Sequence, residues 1–153
     1  MRTLLAWIVI SVFGFLAVPA QAQPARHPTS PESPEAAVDA FHHALKGGDR
    51  ETALALLATG VVIFESGGAE MSRDEYASHH LGSDMKFSAA VDTEIIDRHS
   101  GWSGESAWVL TRSRTRGTYG DREIDSRSTE TMILAKTEDS WRIVHIHWSS
   151  RSE

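Results

Sequence analysis

The residues able to do acid–base chemistry fall into two groups. Glu65 ends the short β-branched stretch Val61-Val62-Ile63-Phe64 and is followed by Ser66-Gly67-Gly68. A carboxyl in an apolar setting has its pKa raised toward the range of a useful general base. The same carboxyl at a wet turn is a surface charge and nothing more. Tyr76, His80 and Asp84 then recur every four residues. Tyr76 and His80 share a helical face. Asp84 extends that face only if the helix continues past Gly82. An imidazole oriented by a carboxylate can move protons or hold a metal; otherwise His80 is a hydrogen-bonded histidine at the core or its edge. The second group is His145 and His147 in Trp141-Arg142-Ile143-Val144-His145-Ile146-His147-Trp148-Ser149. Alternation along a strand puts both imidazoles on one face, about 7 Å apart, with Trp141 and Ile143. Arg142, Val144, Ile146 and Trp148 take the other face. With His80 and Glu65 they offer N and O donors of the kind zinc or copper accepts, and His80, Asp84 and His147 are the candidate metal ligands. No ligand signature on a helix accompanies them. The expected cofactor is therefore none, with a metal ion as the alternative.

These residues need a scaffold, and the chain has room for one. Its 153 residues suit a single domain with a core of its own. Arg2 precedes an apolar run to Ala20, and Ala20-Gln21-Ala22 has the small-x-small form of a signal-peptidase site. Residues 1–22 are thus read as a signal peptide cleaved after Ala22, which implies a periplasmic or secreted protein. An uncleaved anchor helix is the rival reading, and Pro19 favours cleavage. Residues 23–34 form a linker with Pro24, Pro28, Pro31 and Pro34; no proline follows. There is no cysteine, which excludes disulfides, thiolate metal sites and thiol nucleophiles. A formal charge of −6 argues against nucleic acid as a partner.

Beyond the linker the elements can be read in order. Ser33-Pro34-Glu35 starts a helix, Ala37, Val38, Phe41, Ala44 and Leu45 form its buried stripe, and Gly47-Gly48 stops it. His42 and His43 read as solvated positions on it. Asp49 caps a second helix that buries Ala53, Leu54 and Leu57. Val61 to Glu65 is a strand. Ser72 and Glu75 form a capping box for a third helix, ending at Gly82. Long strands follow over 85–97, 106–116, 121–136 and 141–149, joined as antiparallel hairpins. Taking Gly117-Thr118-Tyr119-Gly120 as a turn and pairing Arg116 with Asp121 opposes Arg114 to Glu123 and Arg112 to Asp125. The arginine row is then a salt-bridge ladder rather than an anion site. In that register Arg127 and Glu130 lie deeper, on opposite faces of the sheet. Four tryptophans lie in or beside the sheet, mostly as packing, with Trp108 the candidate pocket wall.

This order of elements, closing in Trp-x-x-Val-His-x-His-x-Ser, resembles the nuclear-transport-factor-2-like superfamily, and within it the SnoaL-like small bacterial proteins. The last strand is also similar to that of the calcium/calmodulin-dependent kinase association domain. The resemblance covers residues 35–151. It implies an α+β cone, a curved antiparallel sheet wrapped around the N-terminal helices with a pocket at its open end. It also implies a homodimer formed through the convex sheet face. Members include isomerases, dehydratases, cyclases and noncatalytic binding modules, so fold alone does not choose among them. A small organic ligand in the cone is the expected function, with Tyr76, Trp108, Arg127, Glu130, His145 and His147 as candidate contacts. Acid–base catalysis by Glu65 or His80 is the alternative, with Tyr76 or Arg127 steadying an oxyanion. A metal-binding protein and a dimeric assembly module are further alternatives.

Overall fold

A computed structural model describes residues 31–153 apart from Asp139. The signal peptide and most of the linker expected from the sequence lie outside the described residues. The domain runs α1 (Pro34–Gly47), α2 (Arg50–Leu56), β1 (Leu57–Glu65), β2 (Gly68–Glu70), α3 (Arg73–His79), α4 (Leu81–Ala90), β3 (Val91–Ser103), β4 (Ser106–Tyr119), β5 (Arg122–Lys136) and β6 (Trp141–Ser152). No helix among the described residues is long and apolar enough to cross a membrane.

The helix starts follow from local chemistry. The Ser33 hydroxyl accepts from the Ala36 amide at 3.1 Å, Asp49 Oδ1 from Thr52 at 3.0 Å, and the Ser72 hydroxyl from Glu75 at 3.1 Å. Each satisfies an amide that has no partner within its helix. Glu75 reaches back one residue further than in a simple capping box, its Oε2 accepting from the Met71 amide at 2.7 Å. Gly48, at φ 69°, ends α1 in the left-handed conformation.

Among the described residues the six strands form one sheet in the order β2-β1-β6-β5-β4-β3. Four pairings are antiparallel, and β1 runs parallel to β6. The parallel pair corrects the expectation of an all-antiparallel sheet. The last strand is interior, as its two apolar faces suggested. Its faces change partway, because β6 carries a bulge at Val144. Before the bulge Trp141 and Ile143 face the helices; after it Ile146 and Trp148 do. A one-residue bulge inverts the alternation downstream of it. His145 and His147 therefore leave the face shared by Trp141 and Ile143, against the sequence expectation.

The core lies between the helices and the concave side of the sheet. One register row crosses it from Val109 to Met132, Ile146 and Ile63, all at most 3 % exposed. Val38 and Phe41 of α1 are fully buried over this layer.

Two further expectations change. Residues 85–90 belong to α4, and β3 starts only at Val91. Period-two apolar positions suggested a strand there, but Leu81 and Met85, one turn apart, bring this segment into the helical core. The β4–β5 turn is Gly120-Asp121, with Tyr119 paired to Arg122. Gly117 lies inside the strand. The register moves by four residues and opposes Arg116 to Asp125, Arg114 to Arg127 and Arg112 to Thr129. An even shift preserves the faces, so the arginines still meet carboxylates, on other strands and diagonals. Arg114 binds Asp125 through two bonds of 2.7 Å, and Arg112 reaches Asp97 of β3 at 3.2 Å.

Candidate functional site

Two residues along each strand from the apolar row, and so on the same face, lies a polar row. Arg98, Thr111, Glu130, Trp148 and Glu65 pair successively across β3, β4, β5, β6 and β1. The tight hairpin Ser66-Gly67 then turns the chain into β2, with Ser66 at φ 52° and Gly67 at φ 83°. Two consecutive positive φ values are the mark of a type I′ hairpin turn. The hairpin places Glu70 beside Ile63, and α3 folds over both strands.

A cavity of about 260 Å³ lies where these elements converge, lined by Ile63, Glu65, Glu70, Tyr76, His80 and Trp148, with the hairpin at its rim. Ordinary ligand pockets span about 300–1,000 Å³, so this one suits a small molecule or one end of a larger one. Tyr76 is almost fully buried, and its hydroxyl donates to Asp84 Oδ2 at 2.8 Å. This bond exists because α4 begins at once after His80, with Gly82 inside it rather than ending a helix. His80 turns instead to Glu70, its Nδ1 against Oε1.

Electrostatics tune these groups in one direction. Burial, then the nearby charge of Asp84, holds the Glu65 carboxyl above the ordinary carboxylate range, with His80 opposing. Burial also raises Asp84, against the Tyr76 hydrogen bond and the His80 charge. Burial and then the Asp84 charge push the Tyr76 phenol up, so it stays protonated. A cavity with a raised carboxyl and a neutral phenol can remove a proton and donate a hydrogen bond.

Among the candidates from the sequence, the cavity thus gathers Glu65, Tyr76 and His80, with Asp84 behind Tyr76. Glu130 is on the same concave side but beneath α1, 8 % exposed. Its Oε2 accepts from Trp148 Nε1 at 2.7 Å and faces His42 Nε2 at 2.8 Å. Burial pushes this carboxyl up, but the His42 and Trp148 bonds outweigh burial and leave it below its usual value. His42, read as a solvated position, is therefore a partner of the buried acid.

The other candidates point the opposite way. Trp108 pairs with Ile133 on the convex face, is 40 % exposed and packs its ring over Gly101. Arg127 sits on that face too, 3.1 Å from Glu153. His145 Nδ1 donates to the Val62 carbonyl at 2.9 Å, its ring edge-on to Phe64. His147, exposed and paired with Phe64 and Thr131, sits between the inward-facing Ile146 and Trp148. Trp108, Arg127, His145 and His147 thus do not line the cavity, and His147 cannot meet His80 and Asp84 at one ion. Two residues lay beyond the sequence reading: Glu70, whose Ser66-Gly67 turn signal was legible, and Trp148, whose face depended on the Val144 bulge.

A family model described as a SnoaL-like domain matches residues 35–152. The chain belongs to the SnoaL-like family. Among solved structures, the SnoaL-like domain is similar to a candidate ketosteroid isomerase from Shewanella frigidimarina, at 33 % identity, TM-score 0.71, over 74 % of this chain and 91 % of that one. It is also similar to a candidate dehydratase of the NTF2-like family from Streptomyces avermitilis, at 22 % identity and TM-score 0.65, over 80 % and 96 % of the two chains. A candidate calcium/calmodulin-dependent kinase II association domain from Thiobacillus denitrificans matches at 20 % identity and TM-score 0.62, over 82 % and 100 %. The last two likenesses concern the fold. No curated protein matches the SnoaL-like domain.

Proposed function

We propose that the SnoaL-like domain binds a small carbonyl compound in the cavity and moves a proton at the carbon next to the carbonyl, as isomerases and dehydratases do. The observation that carries this reading is the Glu65 carboxyl, at the exposed mouth of the cavity, sharing that cavity with the buried Tyr76 phenol. Glu65 is the base. Tyr76 is the hydrogen-bond donor to the oxygen that gains charge. In the resting arrangement Tyr76 spends its proton on Asp84. If Asp84, whose carboxyl burial raises, takes up a proton, it can donate to Tyr76 and release the phenol hydrogen toward the substrate. The name of the Shewanella frigidimarina relative supports the same class of chemistry.

The test is hydrogen–deuterium exchange into a panel of small ketones and 3-oxo compounds, followed by NMR. General-base catalysis contributes about 10²–10⁴-fold, so Glu65→Gln should lose at least 100-fold of the enzyme-dependent exchange. Exchange unchanged in Glu65→Gln would refute the assignment. A compound that binds without exchanging in the parent protein leaves the cavity as a carrier site, the noncatalytic alternative.

Two further features complete the proposal. Phe64, Trp108 and Leu110 are exposed on the convex side, and we place the contact between two copies there. The N-terminal sequence supports export with cleavage after Ala22; N-terminal sequencing of exported protein beginning at Met1 would refute it.

A further inference from the structure

We propose that Glu70, Glu75 and His79 form a divalent-cation site at the β2–α3 junction, sharing Glu70 with the cavity wall and opening to solvent through His79. Their ligand atoms, two carboxylate oxygens and one imidazole nitrogen, all lie within 4.8 Å of one another. The local fold explains the grouping. Glu75 and His79 are one helical turn apart on α3 and share a face. Glu70 is the last residue of β2, two residues before the Ser72 cap, so it sits against that face.

Glu70 supplies the independent evidence. It is only 5 % exposed, yet its Oε2 is buried without a hydrogen-bond donor. Its other oxygen is engaged by His80 Nδ1. His79 Nδ1 stands 3.5 Å from Oε2, too long for a good hydrogen bond. That separation matches the edge of a tetrahedral site instead: bonds of 2.0–2.1 Å put neighbouring ligand atoms roughly 3.3 Å apart. A buried carboxylate oxygen with no donor is the group a cation would satisfy. His79 is 60 % exposed in its side chain, which gives the ion a way in and leaves a position for water. The Met71 amide, bonded to Glu75 Oε2, holds that carboxylate at the junction.

The donor set selects the ion. One imidazole and two carboxylates suit a first-row divalent ion, with Zn²⁺ bound more tightly than Mn²⁺. The hydrogen bond from His80 to Glu70 then has a second role, holding the ligating carboxylate in place as such partners commonly do. The set differs from His80, Asp84 and His147, which the sheet keeps apart, and neither His79 nor Glu75 lines the proton-transfer cavity.

The experiment is calorimetric titration of the full, untagged chain with ZnCl₂ and with MnCl₂. One equivalent of Zn²⁺ should bind with a Kd in the micromolar range or below, and Mn²⁺ at least tenfold more weakly. His79→Ala, at an exposed position, should raise the Zn²⁺ Kd at least tenfold. Glu70→Gln should do the same, and if it fails to fold, His79→Ala decides. His147→Ala should leave the Kd unchanged. Co²⁺ substituted for Zn²⁺ should give a visible absorption band that His79→Ala abolishes. No saturable binding up to 1 mM Zn²⁺, or equal Kd values for the parent and His79→Ala, would overturn the proposal. A loss in His147→Ala equal to that in His79→Ala would overturn it as well.

Discussion

Replacing Trp148 by Phe tests whether the bond from the last strand to the buried acid stabilises the fold. The indole Nε1 donates at 2.7 Å to Glu130 Oε2, and Glu130 is 8 % exposed with its other oxygen unpartnered. A hydrogen bond to a charged group contributes roughly 1.5–3 kcal/mol. Trp148 is only partly buried, so the lower half applies, about 1.5–2 kcal/mol. For a domain of this size that corresponds to a Tm lower by roughly 5–10 °C. Lost packing complicates a single variant, so the decisive assay is a double-mutant cycle with Glu130→Met, read by urea denaturation. Removing both leaves only His42 without its partner, and that side chain is 43 % exposed and can turn to water; the double variant should recover about 1.5 kcal/mol relative to the sum of the singles. Additivity within about 0.5 kcal/mol would refute the reasoning. The pH dependence gives a second check. Glu130 is held below its usual value when folded, so its contribution is complete above the unfolded carboxylate pKa of about 4.3. It is lost as the pH falls through the lower folded value. Trp148→Phe removes one cause of the depression, so the variant should lose less stability than the parent as the pH falls below about 4.3.

Other perturbations are read more simply. Gly117→Ala places a Cβ 2.9 Å from the Ala90 carbonyl oxygen and the Val91 Cα, at φ 154°. Backbone cannot yield as a side chain can, so a loss of about 2–4 kcal/mol is expected in denaturant melts. Phe41→Ala empties a fully buried position under the sheet and should cost about 3–5 kcal/mol by the same assay. The exchange reaction assigned to Glu65 needs the ionised carboxylate. Its rate should rise with pH through a midpoint above the ordinary Glu value of about 4.3, and a midpoint at or below that value would contradict the raised carboxyl. Trp108→Glu puts a charge on the exposed convex face and should shift a dimer to monomer in sedimentation velocity without changing Zn²⁺ affinity.

The sequence reading succeeded where the determinants are local. Ser33, Asp49 and Ser72 cap the helices they were assigned to, because a cap needs only three or four neighbouring residues. It failed where distant partners decide. The β4–β5 register depended on which glycine turns the chain, and charge pairing had several nearly equivalent solutions, since Asp125 serves both Arg114 and Arg116. The bulge at Val144 has no local signature, yet it determined that Trp148 rather than His147 lines the cavity. Glu65, Tyr76 and His80 were legible because one helical turn and one strand end carried them. Glu70 was missed because a three-residue strand has too little pattern to read.

The parallel pairing of β1 with β6 bears on how the domain assembles. Its contacts join residues 57–65 to residues 143–148, whereas β3, β4 and β5 are linked by short turns. Long loops close slowly, and local hairpins form first. The three-stranded meander can therefore be in place while Glu65 and Trp148 are still far apart. On a ribosome the first wall of the cavity is made long before the second, and the cavity closes only when β1 docks against β6, which itself pairs locally with β5. Until then β1 and β6 each expose an open edge. A slow last step should therefore appear in refolding as late recovery of ligand binding, after most of the β-sheet signal has returned.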